Sequence, residues 1–194
     1  MAKPLSDKKR DQIFQAGLKL FAQNGYSNTT IKDIAKEAGV SFGTVFTYFK
    51  TKEDLFHTCV VEPLADFRKH ILEVQDDIES LTLEKLKELI SKHVDFFFEK
   101  EQNLRIIQYV IGQPSRFSEM EELDQFADDF NLFIQKIVKT GMKEGFLPNS
   151  DPEEVGYSYL AYLNGIRLTF TDHANVTLTN AFKNQALRLF GINN

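Results

Sequence analysis

Apolar residues recur along this chain at steps of three and four, the spacing that places side chains on one face of an α-helix. Gly, Pro and Asn residues separate the periodic segments, and the alternation typical of β-strands is absent. The pattern predicts an all-α protein of about nine helices, over about residues 7–24, 30–38, 41–49, 52–74, 82–100, 103–111, 116–143, 152–171 and 177–190.

Residues 29–54 predict two short helices joined by a tight turn. Thr30 and Asp33 have the spacing of a capping box, in which side chains satisfy free N–H groups of the first turn. Gly39 can adopt the left-handed conformation that ends a helix, and Ser41 can cap the next one. Two short helices around a glycine turn are typical of the helix-turn-helix arrangement, whose second helix enters the major groove of DNA.

The second of these helices has two faces of different character. Val45 and Phe49 lie on one side, whereas Gly43, Thr44 and Thr47 lie on the opposite side. The second side is short, polar and uncharged, which suits close approach to base edges, because Thr can contact bases through its hydroxyl or its methyl group.

Three aromatic residues flank this face, and Lys52 follows it. Phe42, Phe46 and Tyr48 either pack on neighbouring helices or lie at the surface, where a Tyr hydroxyl could reach a phosphate. Lys52 lies at the start of the next helix, which Thr51 can cap. A helix N-terminus beside an ammonium group favours phosphate, although a solvated lysine would give the same sequence pattern.

The order and spacing of these elements resemble the DNA-binding head of the tetracycline-repressor (TetR) family. The resemblance covers residues 13–56, through the motifs F-x-x-x-G-Y, T-T-x-x-D-I-A, A-G-V-S-x-G-T and Y-F-x-x-K-E-x-L. Many members have Tyr where this chain has Phe46, so a hydroxyl contact to phosphate is lost there. The resemblance implies base contacts from Lys32, Phe42, Gly43, Thr44 and Thr47, and phosphate contacts from Thr30, Ser41, Phe46, Tyr48 and Lys52.

Charge is distributed unevenly along the chain. The formal net charge is −5, which by itself argues against a nucleic-acid partner. Residues 1–56, however, contain nine Lys or Arg and six Asp or Glu, whereas the remaining residues contain 14 and 22. A basic head on an acidic body orients the head toward a polyanion. The head's surplus of three positive charges is modest. This favours a dimer, because a dimer presents two heads to the DNA.

The sequence contains little that indicates catalysis or metal binding. The four histidines have no metal-ligand spacing, and no catalytic group or cofactor is predicted. The single Cys59 excludes an internal disulfide, and no apolar run is long enough to span a membrane. Without a signal-peptide pattern, these features predict a cytoplasmic protein.

The helix predicted over residues 152–171 has two faces that can be buried, one apolar and one of small residues. One face can pack on the chain's own core and the other on a second copy, although a single chain could also cover both. The TetR resemblance implies dimerisation through the last two long helices. The expected interface residues are Ser158, Ala161, Gly165, Thr169, Phe182, Ala186 and Leu189.

Aromatic residues are abundant in the body, with 18 Phe and 6 Tyr in the whole chain. Aromatic residues at helical spacing form a core or, as a group, line an apolar cavity with a few hydroxyls. The resemblance implies that the body binds a small effector. The candidate pocket residues are Phe97, Tyr109, Phe126, Phe130, Phe133, Tyr159 and Tyr162.

These features predict a DNA-binding head over residues 1–54 and a ligand-binding, dimerising body over residues 55–194. The expected function is that of a ligand-responsive transcriptional regulator, a repressor that binds a near-palindromic operator as a homodimer and is released by a small, largely apolar molecule. Two alternatives stay open: a DNA-binding regulator without a ligand, and an all-α enzyme with a structural helix-turn-helix.

Overall fold

The computed structural model describes residues 7–72, 78–113, 117, 120–169 and 176–193. Their secondary structure is helical without strands, which confirms the all-α prediction of about nine helices. Pro63 lies inside the fourth helix. The helices are α1 (Asp7–Asn28), α2 (Ile31–Glu37), α3 (Phe42–Tyr48), α4 (Lys52–Leu72), α5 (Leu83–Glu99), α6 (Glu101–Ile111), α7 (Met120–Lys143), α8 (Pro152–Thr169) and α9 (Val176–Leu189).

The chain forms two compact units. The first contains the described residues up to Leu64 together with Gln102–Leu123, and the second contains Ala65–Glu101 with the described residues from Asp124 onward. Helix α4 therefore continues from the first unit into the second. The first unit includes α6 as well as the predicted head, so the division at residue 54 stays a prediction about the domains.

The core of the first unit is built on α1. Ile13, Phe14, Leu18 and Phe21 of α1 are buried, and Phe21 meets the edge of Phe56 at 5.1 Å between ring centroids. The ring of Phe56 also faces Tyr109 of α6 at 6.3 Å. Gly25 has φ 74° and ψ 168°, outside the helical range, so the regular helix that begins at Asp7 is interrupted there, at the end expected for the helix over residues 7–24.

A buried polar group ties three helices of the second unit together. His93 in α5 lies 3.0 Å from the Ile71 carbonyl through Nε2 and 3.2 Å from the Tyr159 hydroxyl through Nδ1. A carbonyl only accepts, so Nε2 carries the proton and Nδ1 accepts from Tyr159. Burial lowers the pKa of His93 to about 4, although its bond to Ile71 opposes this. The neutral imidazole therefore joins α4, α5 and α8 as a structural group.

Helices α7 and α8 approach closely at Gly156. A Cβ on this residue would overlap the side-chain oxygen of Asn131, so only glycine fits there without rearrangement. In the same unit, Lys183 of α9 pairs with Asp95 of α5 at 2.6 Å. These contacts place α8 and α9 against the bundle that contains α5 and α7.

Candidate nucleic-acid interface

Reciprocal capping fixes the start of α2. The Thr30 hydroxyl accepts from the Asp33 amide at 3.2 Å, and the Asp33 carboxylate accepts from the Thr30 amide at 3.2 Å. The Asp33 carboxylate also accepts the Thr30 hydroxyl proton at 2.6 Å, and these bonds lower the pKa of Asp33. Gly39 then adopts φ 66°, the left-handed conformation that turns the chain toward α3. The capping box and the glycine turn are confirmed.

Helix α3 is held by its two ends and its inner side. The Ser41 hydroxyl accepts from the Thr44 amide at 3.2 Å, which caps the first turn as predicted. Val45 is fully buried and Phe49 is 2% exposed, so both predicted inward residues are confirmed. The guanidinium of Arg10 lies 5.4 Å from the centre of the Phe49 ring and pairs with Glu62 of α4 at 2.8 Å. These contacts define how α3 is rotated.

The opposite surface of α3 consists of Phe42, Gly43, Thr44, Phe46 and Thr47, and we call it the outer face. Phe42 and Phe46 are 55% and 41% exposed, and their rings meet at 5.1 Å between centroids with an interplanar angle of 69°. Gly43 and Thr47 are exposed, and Thr44 is half-buried. The two aromatic side chains therefore lie at the surface, one of the two alternatives left open by the sequence.

The start of α4 lies directly after α3. Thr51 caps it, because its hydroxyl accepts from the Asp54 amide at 3.0 Å. The Lys52 ammonium lies 4.1 Å from the centre of the Tyr26 ring, and the Tyr26 hydroxyl donates to Glu53. The aromatic ring thus positions the half-buried Lys52. Its contact with phosphate, like those expected of Thr30, Ser41, Phe46 and Tyr48, stays a prediction.

A short capped helix, anchored through one face and exposed on the other after a glycine turn, defines a helix-turn-helix DNA-binding protein. Residues 13–59 match the family described as "Bacterial regulatory proteins, tetR family". The chain therefore carries the DNA-binding domain of the TetR family of transcriptional regulators, and its relatives are named as regulators rather than as enzymes.

Relatives of known name span much of the chain. The fatty acid metabolism regulator protein of Bacillus subtilis is 29% identical over 136 residues, which cover 69% of this chain and 68% of that protein. The HTH-type transcriptional repressor KstR2 of Mycolicibacterium smegmatis is 29% identical over 155 residues, 76% of this chain and 72% of that one. A solved structure of the regulator FadR from Bacillus subtilis in complex with stearoyl-CoA is 25% identical, with a TM-score of 0.69 over 94% of this chain and 98% of that chain.

The candidate pocket residues do not all lie together. Phe97, Phe126, Phe130, Phe133 and Tyr159 are buried in the second unit. They pack against one another and their neighbours, for example Phe130 against Tyr159 at 5.8 Å between ring centroids.

The two other candidates, Tyr109 and Tyr162, make contacts of a different kind, and their place in a pocket stays a prediction. Tyr109 belongs to the first unit, where it packs on Phe56. Tyr162 donates its hydroxyl to the Phe182 carbonyl at 2.9 Å, and burial raises its pKa to about 12. Tyr162 therefore links α8 to α9.

The second unit contains a cleft of about 540 Å³ between the last turns of α4 and the middle of α7. Among its lining residues, only Phe133 was predicted as a pocket residue. The other lining residues have the spacing of one face on each helix. The sequence alone does not indicate that these two faces leave a gap between them. Arg68 and Asp129 form an ion pair inside it. The cleft is lined by Arg68, Lys69, Leu72, Asp129, Leu132, Phe133 and Lys136.

The residues expected at a dimer interface differ in exposure. Ser158 and Ala161 are exposed on α8, and Gly165, Phe182 and Leu189 are half-buried. Ala186 needs correction, because it is 0% exposed within one chain and has no surface left for a second copy. The side chain of Thr169 lies outside the described residues.

Two searches of the described residues found nothing further. No helix in the described ranges is both long and apolar enough to cross a membrane. Within the same ranges, no cluster of three or more His, Cys, Asp or Glu side chains could hold a metal ion.

Replacing Gly43 with Ala tests why a glycine stands in this short helix. A Cβ at this position would meet no protein atom within 4 Å, and Ala is favoured over Gly in helices by about 0.5–1 kcal/mol. We expect the variant to have a slightly higher free energy of unfolding, measured with urea. We also expect severalfold weaker binding to duplex DNA, because the added methyl group blocks close approach. A variant that is more stable and binds DNA equally well would remove Gly43 from the interface.

Proposed function

We propose that this protein is a repressor that binds a near-palindromic operator as a homodimer and is released by a small amphipathic molecule. The observation that carries the proposal is the outer face of α3, which is exposed, uncharged and rigidly supported by Val45 and Phe49. A promoter occupied by such a protein is blocked, and the name of the relative KstR2 as a repressor supports this direction of control.

The basic residues near the outer face supply the attraction to phosphate. Lys32, Lys36 and Lys50 are exposed on α2 and beside α3, and Lys52 lies at the start of α4. Phosphate contacts of this kind set the register of a protein on the duplex, whereas contacts to base edges select the sequence. Lys32 also lies where the family resemblance implies a base contact.

Helices α8 and α9 offer a surface for a second copy. Tyr157 is 55% exposed, next to the exposed Ser158 and near Ala161. An exposed large aromatic beside small residues favours close helix packing, and a twofold arrangement would use the same surface on both copies. Two heads related in this way read half-sites about one DNA turn apart.

The cleft in the second unit is a candidate effector site. Leu72, Leu132 and Phe133 supply apolar surface, whereas the charged lining carries three cations and only one carboxylate. Such a lining fits a molecule with an apolar part and an acidic group. The FadR structure from Bacillus subtilis contains stearoyl-CoA, a ligand of this chemical class.

Helix α4 offers a route from the cleft to the DNA-binding head. Arg68, Lys69 and Leu72 lie in its last two turns, and Lys52 lies at its start beside α3. A ligand that binds more tightly to one position of α4 would shift the protein toward that position. A regulator without a ligand is the alternative; the cleft favours the ligand-responsive protein.

Thr47→Glu tests the assignment of the outer face. A carboxylate there would meet the negative charge of the duplex and replace any contact of Thr47 with a base edge. We expect at least tenfold weaker binding to a site selected from random duplexes, measured by mobility shift, with an unchanged thermal unfolding curve.

Gln23→Glu in α1 is the matched control, because it adds the same charge at an exposed position outside the outer face. The control is expected to bind within about twofold of the unmodified protein. Equal affinity of Thr47→Glu and Gln23→Glu would show that α3 does not face the DNA.

The double variant Lys69→Met and Lys136→Met tests the cleft. Met keeps the apolar stem and removes the charge, so release from DNA by stearoyl-CoA should need at least tenfold more ligand. Lys139→Met, on the same helix but outside the cleft lining, is the control and should respond like the unmodified protein. Identical release curves for the double variant and the control would exclude the cleft as the effector site.

A further inference from the structure

We propose that the outer face of α3 recognises its half-site mainly through the methyl groups of thymine, by apolar contact rather than by hydrogen bonds to base edges. The inference rests on the proposed binding of α3 in the major groove and adds the chemistry by which the sequence is selected.

The hydroxyl groups near the outer face are largely engaged within the protein. The Thr47 hydroxyl donates to the Gly43 carbonyl at 3.2 Å. The hydroxyls of Ser41 and Thr44 lie 2.7 Å apart, so one donates to the other, and the Ser41 oxygen also accepts from the Thr44 amide. Of the three hydroxyl protons, two are therefore already used. Because the Thr47 hydroxyl donates its hydrogen bond to the backbone, the γ-methyl group is the part of this side chain that is available for an apolar contact.

The most exposed large side chains of the helix are apolar. Phe42 and Phe46 form an edge-to-face pair, and each leaves more than a third of its surface exposed. Exposed apolar pairs on a soluble domain mark binding surfaces. A phenyl ring cannot donate to or accept from a base edge in the manner of an amide or guanidinium group, but it can contact the C5-methyl of thymine.

The residue types that make paired hydrogen bonds with bases are missing from this segment. Residues 41–49, SFGTVFTYF, contain no Arg, Lys, Asn, Gln, Asp or Glu. Bidentate contacts to guanine or adenine therefore cannot come from α3 side chains. Among the predicted base contacts, Lys32 on α2 is the one with a strong hydrogen-bond donor. Recognition of guanine would therefore be confined to the base pair that Lys32 contacts.

Removal of single thymine methyl groups tests the inference directly. A duplex selected from random sequences is synthesised with one thymine at a time replaced by deoxyuridine, which keeps every hydrogen-bonding group and removes only the methyl. We expect about fourfold weaker binding at each contacted thymine, the effect of losing one buried methyl-sized group. These positions should occur symmetrically in both half-sites.

Protein variants identify the partner of each methyl group. Phe42→Ala should bind the thymine duplex more weakly and should lose the difference between thymine and deoxyuridine at one symmetric pair of positions. Thr47→Val keeps the methyl group and removes the hydroxyl, and should bind within about twofold of the unmodified protein. Thr47→Ser keeps the hydroxyl and removes the methyl, and should bind about fourfold more weakly.

The outcomes separate this inference from the proposed function. Sequence-selective binding that is lost in Thr47→Glu but insensitive to every deoxyuridine replacement would overturn the methyl contacts and leave DNA binding by α3 intact. A strong loss in Thr47→Val, with Thr47→Ser unaffected, would also overturn them in favour of hydroxyl contacts. Failure to select any sequence would instead contradict the proposed function. Thermal unfolding of each variant shows that the fold is retained.

Discussion

The burial of Val45 and Phe49 is the constraint on which the proposed DNA-binding face depends. The two residues are four apart, so their burial fixes one side of α3, and the helical period then leaves Gly43, Thr44 and Thr47 outside. Ser41 caps the start of α3, and the guanidinium of Arg10 lies over the ring of Phe49, the residue that follows the end of α3. A seven-residue helix is too short to be stable alone, so its position comes from these anchors.

This arrangement divides the work of binding between two kinds of chemistry. In the proposed complex with DNA, the uncharged outer face adds little electrostatic attraction, whereas the lysines on α2 and around the start of α4 supply it. The same helix α4 reaches the cleft beside α7, where positive charges surround an apolar surface. In the proposed function, a small acidic molecule that binds in the cleft and DNA that binds to the head favour different positions of α4.

Local features of this protein were predictable from sequence, and long-range ones were not. The capping box of Thr30 and Asp33, the glycine turn and the two faces of α3 follow from residues less than ten apart, and the structure confirms them. The position of Tyr109, the burial of Ala186 and the cleft depend on which helices meet, and helical periodicity alone does not contain that information. Whether Phe42 was buried could likewise be decided only by its neighbours in space.

A labelled cysteine on the outer face would test the account most directly. The chain has one other cysteine, Cys59, which is buried, and burial raises the pKa of its thiol, so a photocrosslinker would label an introduced cysteine selectively. The account predicts that a label at Thr47→Cys crosslinks to bases in both half-sites of a selected duplex, while the same label at the exposed Lys139→Cys of α7 does not. Crosslinking from Lys139→Cys alone, or equally from both positions, would contradict it.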